Sequence, residues 1–447
     1  MIKITSINEN NNIVHREYDN MSTNFYQEGR LVELDLNIQQ PSGSHECGDT
    51  ERCGDTADRD NHPQFSKEDI ERMSNRSSAT HKASNPTTLK IQMGLTCNFN
   101  CAYCIQGQFG SRGIISNDDV DKWIDNFDTW CTSKKDNPMG IQLWGGEPLL
   151  YMDCIKRLVI FLHERFTNSR ISVVSNGSLL TKDIADFFIE NYVEFVVSHD
   201  GPTNLKNRTL DPLAEGSESL KWIKYLNDHK SRQAGVIFNA VITKDNHDIQ
   251  SIIDHIKGIM GDRASVNFEG IVTVEDRDIF SDDMLYTDKD YLELRENIIK
   301  MYASGSLQGV APFQQKFDGL LFNWFHPDRV IEPGSFQKCG MDNPYTLGLN
   351  LHGDVLKCHS TTEVIGNVDN LDIVDLYSGV TRWEQRDECK ECIVLSLCKG
   401  ACMLVDEKSW AYTCNNEFNF NMAVFESVFE YVFKERIVRI DGLNHRP

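Results

Sequence analysis

The chain has 447 residues, 40% of them hydrophobic and 25% charged, enough for two or three domains around a substantial core. Its 45 basic residues against 67 acidic ones give a net charge of −22 with no Lys/Arg block, which argues against nucleic acid as a partner. No apolar run is long enough to cross a bilayer, and the start, "MIKITSINENNN", lacks the layout of a secretory signal, so a cytoplasmic location with no membrane partner is expected.

Residues 1 to about 40 alternate polar and apolar positions, as in "GRLVELDLNI" (Gly29–Ile38), and predict a strand or two. Residues 41–87 are rich in Ser, Asn, Asp, His and Arg and read as a polar linker. Inside it lies a tandem duplication, "CGDTERCGDT". Cys47 and Cys53 could make an extra metal or redox pair, but a duplicated stretch of flexible chain is the favoured reading.

From Thr88 a regular rhythm begins. "TLKIQMGLTC" predicts a strand and Asp118–Cys131 a helix. Strands at Gly140–Glu147, Ile171–Gly177, Val193–Gly201, Gly235–Thr243 and Ser265–Val274 are each followed by a helical pattern. Those helices are Met152–Phe166, Lys182–Asn191, Ser217–Lys230, "HDIQSIIDHIKGI" and "YLELRENIIKMY". Six such β-α units imply a parallel sheet, either doubly wound or a partial barrel. Both place chemistry at the carboxyl ends of the strands. After about Gly305 the rhythm stops. In the tail, Phe418, Met422, Phe425, Phe429 and Val432 recur at three- and four-residue spacing and predict one amphipathic helix over Glu417–Val438, packed on the body. Glu417, Glu426, Glu430 and Glu435 argue against a membrane-surface role.

Fourteen cysteines without an export signal favour metal over disulfides, and ten of them fall into two sets. The first is Cys97, Cys101 and Cys104, a C-x3-C-x2-C run just after the first strand of the repeat. Three thiolates leave one iron of a 4Fe-4S cube without a protein ligand, free to hold another group and to pass an electron. A zinc knuckle short of a ligand or three unrelated thiols are the alternatives. With Tyr103 before its last cysteine, the motif resembles that of the radical S-adenosylmethionine (radical SAM) enzymes. In that family the open iron chelates the amino and carboxylate groups of SAM. One electron then cleaves the sulfonium to a 5′-deoxyadenosyl radical, which abstracts hydrogen from the substrate.

The resemblance extends to the strand ends. "WGGEP" (Trp144–Pro148) has glycines that let backbone approach a ligand closely. The family implies that Gly145, Gly146 and Glu147 bind the SAM ammonium group. "SNG" places Ser175 and Asn176 where the ribose or the sulfonium side is contacted. "VVSHDGP" resembles the family's Ser-x-Asp-Gly-Pro turn and makes Ser198 a cofactor contact. Arg208 could pair with the SAM carboxylate or equally be a surface arginine. Tyr103 would cover the adenine; ordinary core packing is the plainer alternative. Cys131 and Cys154 lie on predicted helices and read as small apolar groups.

The second set is Cys339, Cys358, Cys389, Cys392, Cys398, Cys402 and Cys414. Its pattern, C-x13-G-x4-C followed by C-x2-C-x5-C-x3-C and a final Cys, resembles the SPASM extension, which carries two auxiliary 4Fe-4S clusters; structural zinc sites are the bland alternative. Gly353 suits a tight hairpin delivering Cys358. By resemblance, Cys339, Cys358 and Cys402 hold the cluster nearer the SAM site, and Cys389, Cys392, Cys398 and Cys414 hold the outer one. The nearer cluster then has three cysteines, its last iron being open or bound by Asp342, His359 or substrate. The resemblance implies a partial (β/α)6 TIM-like barrel, a small SPASM iron–sulfur domain and a C-terminal helix. The expected divisions are 1–87, an N-terminal extension with candidate leader contact; 88–305, the radical SAM core; 306–338, a bridging region; and 339–447, the SPASM domain with its helix.

Auxiliary clusters serve reactions in which a substrate radical loses a further electron. Members with this module mostly act on ribosomally made peptides. The leading expectation is therefore a peptide maturase that uses SAM and three 4Fe-4S clusters, is reduced by a flavodoxin or ferredoxin, and crosslinks side chains of a precursor peptide. An anaerobic sulfatase-maturating enzyme is the runner-up, although the short cysteine count at the nearer cluster and the long polar N-terminus suit it less well. A non-catalytic iron–sulfur electron carrier would leave "WGGEP" and the other strand-end turns unexplained.

Overall fold

The computed structural model describes residues 1–20, 22–32, 34, 80–106, 115–229, 235–274, 285–325, 338–358, 360–377 and 379–441; Cys47, Cys53 and His359 lie outside them. The chain opens with an antiparallel run of strands: β1 (Ile2–Asn8), β2 (Ile13–Asp19), β3 (Asn24–Gln27) and β4 (Arg30–Leu31). In β1, Ile2 and Ile4 face inward while Lys3 is exposed, the alternation expected of a sheet with one wet face.

The predicted β-α repeat follows. Strands β5 (Thr88–Gln92), β6 (Met139–Trp144), β7 (Ser169–Ser175), β8 (Glu194–Ser198), β9 (Gly235–Ile242) and β10 (Ser265–Ile271) pair in parallel and in sequence order. The helices between and after them are α1 (Asn117–Trp130), α2 (Met152–Arg165), α3 (Lys182–Glu190), α4 (Glu218–Asp228), α5 (Ile249–Met260) and α6 (Asp288–Ala303). A doubly wound sheet reverses strand order at a switch point; this one adds strands in a single direction, as a partial barrel does. Local sequence sets the helix starts: Ser116, Thr181, Ser217, Asp248 and Thr287 each accept a backbone N–H in the first turn. The outward faces of the strands and the inward faces of the helices close one core, with Phe127, Phe166, Phe188, Phe195 and Phe238 fully buried.

The first half of the second cysteine region is not a separate sheet. β11 (Thr346–Asn350) pairs in parallel with β5, and the hairpin of β11, β12 (Asp354–Leu356) and β13 (Val364–Asn367) extends the barrel sheet to nine strands. Gly353 turns this hairpin at φ 81°. The end of the predicted linker is also fixed: Lys82 is buried and donates to the carbonyls of Met341, Asn343 and Thr346 at 2.5, 3.1 and 2.7 Å. The charge of an interior lysine needs such acceptors, so residues 80–87 belong to the folded body.

Two further elements depart from expectation. Helix α7 (Phe313–Phe325) fills the bridging region. The tail is not one helix through Val438: α8 runs Glu407–Phe433, Lys434 turns left-handed at φ 54°, and β14 (Glu435–Asp441) pairs antiparallel with β1. The reason is the partner. "ERIVRID" alternates, and the N-terminal sheet offers it an edge. Buried Glu435 accepts from Arg16 of β2. Helix α8 is buried on nearly all sides between Asn416 and Phe429, so Glu417 is interior and Glu426 pairs with Arg295, while Glu430 is exposed. A second core forms where Tyr18 and Phe25 meet Trp324, Phe425 and Phe429. The ring centres of Phe25 and Trp324 lie 4.7 Å apart, edge to face. Among the described residues no helix is long and apolar enough to cross a membrane.

Phe25→Ala should therefore cost about 3–5 kcal/mol. It should lower the thermal unfolding midpoint and increase protease sensitivity at both chain ends together. An unchanged midpoint would show that the N-terminal sheet is not docked on the C-terminal helix.

Candidate active site

The site is built at the carboxyl ends of four successive strands. The cysteine loop leaves β5 and is laced to each neighbour. From the β6 end, Gly146 N–H and Glu147 N–H donate to the carbonyls of Gly94 and Thr96, both at 2.9 Å. A Cβ on Gly146 would sit 2.5 Å from the carbonyl oxygens of both Leu95 and Thr96, and one on Gly145 would overlap Gly94 O. Both positions therefore require glycine because the two backbones touch. Gln106, two residues past Cys104, clamps the same turn. With its amide oriented to match donors to acceptors, it donates to Gly145 O at 2.8 Å and accepts from Trp144 Nε1 at 3.1 Å.

Glu147 has no solvent exposure. Its Oε1 accepts from Leu149 N–H at 2.9 Å and Ser175 Oγ at 2.8 Å, and its Oε2 accepts from Asn176 N–H at 2.8 Å. Burial pushes its carboxyl pKa up, and these hydrogen bonds pull it back. The carboxylate thus ties the β6 turn to the "SNG" turn after β7. Asn176 Nδ2 in turn donates to Asn98 Oδ1 at 2.8 Å, and Asn98 Nδ2 donates to Ser178 Oγ at 2.9 Å, so the residue after Cys97 is held from the β7 side. Ser198, at the end of β8, is half-buried and its hydroxyl bonds no other described residue.

On the β8 side the loop is held by Asn207 and Thr209. Asn207 O accepts from Ala102 N–H at 2.8 Å, and Thr209 Oγ1 accepts from Asn100 N–H at 2.7 Å. Between these contacts lies a buried charged unit. Asp200, with no exposure, accepts from Arg208 Nε at 2.9 Å and Nη2 at 3.2 Å, from Tyr103 Oη at 2.6 Å and from Val241 N–H at 3.2 Å. Burial opposes the Arg208 charge, but the Asp200 carboxylate bonded to it supports that charge, and the guanidinium pKa is raised. Burial also pushes the Tyr103 hydroxyl well up, so it acts as a neutral donor. Arg208 is therefore not a surface arginine. Its bidentate edge is spent on Asp200, and the Nη1 edge is the one left for a ligand.

Cys97 is exposed, whereas Cys101 and Cys104 are half-buried. Burial raises the Cys97 thiol and pushes Cys101 to about 11; Cys104 raises both, and Cys97 adds to the effect on Cys101. Thiolates crowded this way need a cation among them, which suits soft-metal ligation.

The second set assembles elsewhere. Cys389, Cys392, Cys398 and Cys414 line one apolar cavity with Trp410 and Phe418. Burial pushes Cys389 to about 12 and Cys392 to about 11, and raises Cys398 and Cys414 as well, with neighbouring thiols adding to the shift at Cys389, Cys398 and Cys414. Four soft donors around one enclosed apolar space fit a thiolate-held cluster. Among the described residues, no three His, Cys, Asp or Glu side chains converge as ligands of one metal ion. Cys339 is exposed, its carbonyl accepting from Lys90 Nζ at 3.3 Å; Cys358 follows β12 and accepts from Ser360 N–H at 3.4 Å; Cys402 is half-buried. Asp342 is fully buried, 4.0 Å from Arg382 Nη2. Cys131 and Cys154 pack in the barrel core, as small apolar groups do.

Sequence reasoning passed over Gln106, Asn98, Asn207 and Thr209. Each is polar and near a motif, but only the fold shows which backbone group it meets.

A braced three-cysteine loop at the carboxyl ends of parallel strands is the arrangement expected of a radical SAM domain. Residues 91–256 match the Radical SAM superfamily, so the chain carries a radical SAM domain. It is 22% identical to the radical SAM cyclopropyl synthase TigE of Paramaledivibacter caminithermalis over 72% of this chain and 69% of that one. It is 21% identical to a cysteine-type anaerobic sulfatase-maturating enzyme of Clostridium perfringens over 76% of this chain and 94% of that one. Among solved structures, anSMEcpe with bound AdoMet superposes with a TM-score of 0.56 at 18% identity, over 78% of this chain and 97% of that one. Streptococcus suis SuiB bound to precursor peptide SuiA does so at 0.50 and 19% identity, over 77% and 76%. At these identities the structures show a shared fold.

Gly146→Ala should displace the cysteine loop at a cost of about 1–3 kcal/mol and lower the iron retained at the first trio after reconstitution. Gly258→Ala on α5, with nothing within 4 Å of the added Cβ, serves as the tolerated control. Equal iron retention by the two variants would refute the close-approach argument. Asp200→Asn, which strands a buried guanidinium, should destabilise by about 3–5 kcal/mol and be read as a lowered denaturation midpoint.

Proposed function

We propose that this protein is a radical SAM peptide maturase that oxidatively crosslinks side chains of a ribosomally made precursor peptide, joining an aromatic side chain to an unactivated carbon of a neighbouring residue. The observation that carries the reading is the pairing of a braced three-cysteine loop with a separate four-cysteine cavity. Cys97, Cys101 and Cys104 would hold the SAM-binding 4Fe-4S cluster. Cys389, Cys392, Cys398 and Cys414 would hold one auxiliary cluster, and Cys339, Cys358 and Cys402 a second. When bound, these groups supply a 5′-deoxyadenosyl radical at one end and an electron acceptor at the other.

The chain's own residues orient the cofactor. The Gly145–Glu147 turn presents acceptors for the SAM ammonium. The Nη1 edge of Arg208, held in place by Asp200, would pair with the SAM carboxylate. Ser175 and Asn176 shape the turn at the ribose side, Ser198 offers a spare hydroxyl, and Tyr103 is pinned by Asp200 to cover the adenine. Forming a carbon–carbon crosslink removes two hydrogen atoms, which amount to two protons and two electrons. One hydrogen atom leaves to the adenosyl radical, and the second departs as a proton and an electron. A flavodoxin or ferredoxin would supply the electron for SAM cleavage.

A second reading, sulfatase maturation, has a specific support: the match that spans 94% of the Clostridium perfringens enzyme. One experiment separates the two. The reconstituted protein, incubated anaerobically with SAM, reductant and any short precursor peptide found encoded beside its gene, should release 5′-deoxyadenosine and yield a peptide lighter by two hydrogen atoms per crosslink. That product should not react with hydroxylamine. A product trapped by hydroxylamine as an aldehyde would replace crosslinking by formylglycine formation, and an unaltered peptide beside productive SAM cleavage would remove the crosslinking reading.

A further inference from the structure

Arg386 sits where three cysteine-bearing segments meet. It opens the turn of Cys389, whose amide donates to the Arg386 carbonyl at 3.1 Å. Its Nη2 donates to the carbonyl of Val405, three residues beyond Cys402, at 3.3 Å. Its guanidinium carbon lies 3.4 Å from the ring centre of Trp410, a lining residue of the four-cysteine cavity on the helix that carries Cys414. Trp410 is itself held by Glu388, whose Oε1 accepts from Nε1 at 2.5 Å. Arg386 is only 6% exposed, and its Nη1 is buried with no hydrogen-bond acceptor among the described residues. Burial works against its charge, and Cys389, Cys402 and Cys414 lead the groups that support it.

A buried donor on a charged group is costly to leave unmade, at about 1–3 kcal/mol or more. Such a donor persists where something other than the polypeptide accepts its bond. Among the described residues the anionic groups around it are Glu388, whose Oε1 is engaged by Trp410 Nε1, and the sulfurs of Cys389, Cys402 and Cys414. We propose that Arg386 donates its Nη1–H to a cluster or thiolate sulfur of the auxiliary centres, between the four-cysteine site and Cys402, and raises their reduction potential. This rests on the reading that the second cysteine set holds iron–sulfur clusters. Reduction adds one electron to a cluster and takes no proton from the guanidinium, which stabilises the added charge and so favours the reduced form. Trp410 positions the guanidinium by stacking.

The test uses full-length protein with Cys97, Cys101 and Cys104 replaced by Ala, so that only auxiliary iron remains, produced with arginine carrying nitrogen-15 in its guanidino group. After reconstitution and reduction, pulsed EPR should show nitrogen-15 coupling to an auxiliary signal. In the same background Arg386→Gln should shift the oxidised-to-reduced ratio about tenfold at a fixed potential, a fall of about 59 mV for one electron, and Arg386→Lys should shift it less. A reduced auxiliary signal without that coupling, or an unmoved potential in Arg386→Gln, overturns the assignment while leaving the cluster reading intact. Absence of bound iron in the unsubstituted Arg386 background overturns the cluster reading and this inference with it. If Arg386→Gln fails to fold, the coupling in the native-arginine protein decides alone.

Discussion

Two backbones in contact set the geometry of the active centre. The Gly145–Gly146 turn lies against Gly94–Thr96 so closely that a single methyl group would separate them. The bonds from Gly146 and Glu147 to that segment continue the β5–β6 ladder one step past the last regular pair, into the loop that carries the cysteines. A metal-ligand loop is rigid only if its backbone groups are satisfied, and here a neighbouring strand satisfies them. The other braces, Glu147 to the β7 turn and Asn98, Asn100 and Ala102 to their partners, depend on that first approach being allowed.

The same reasoning explains why the interior is so polar. Glu147 and Asp200 are both without exposure, and each accepts at least three hydrogen bonds. A carboxylate so saturated can be buried without an unmet bond, and it fixes every donor it touches. Glu147 joins two loops; Asp200 fixes an arginine and a tyrosine. These groups position others, and their removal would be felt through the loops they hold.

A further set of interior charges joins the chain ends to the barrel. Glu417 pairs with Lys338, Glu426 with Arg295 of α6, and Glu435 with Arg16 of β2. Buried pairs of this kind add little net stability, since desolvation offsets much of their attraction. We regard them as fixing register: the first two set how α8 docks, and the third sets β14 on the N-terminal sheet. Together with the aromatic contacts of Phe25, Trp324 and Phe425, they make the N-terminal strands part of the C-terminal fold.

The sequence alone carried what is local in period or spacing. Six β-α units were legible because strand and helix periodicities differ, and both cysteine sets, with "WGGEP" and "SNG" at strand ends, were legible because ligand spacing and turn chemistry are short-range. Long-range pairing was not. That β14 would turn back onto β1, that β11 would join β5, and that Lys82 would be buried under three carbonyls are decided by partners more than 250 residues away. The place of Arg208 likewise could not be read from its loose spacing to Asp200; only the tertiary fold, by excluding water from both, turned a candidate surface charge into a buried bidentate pair.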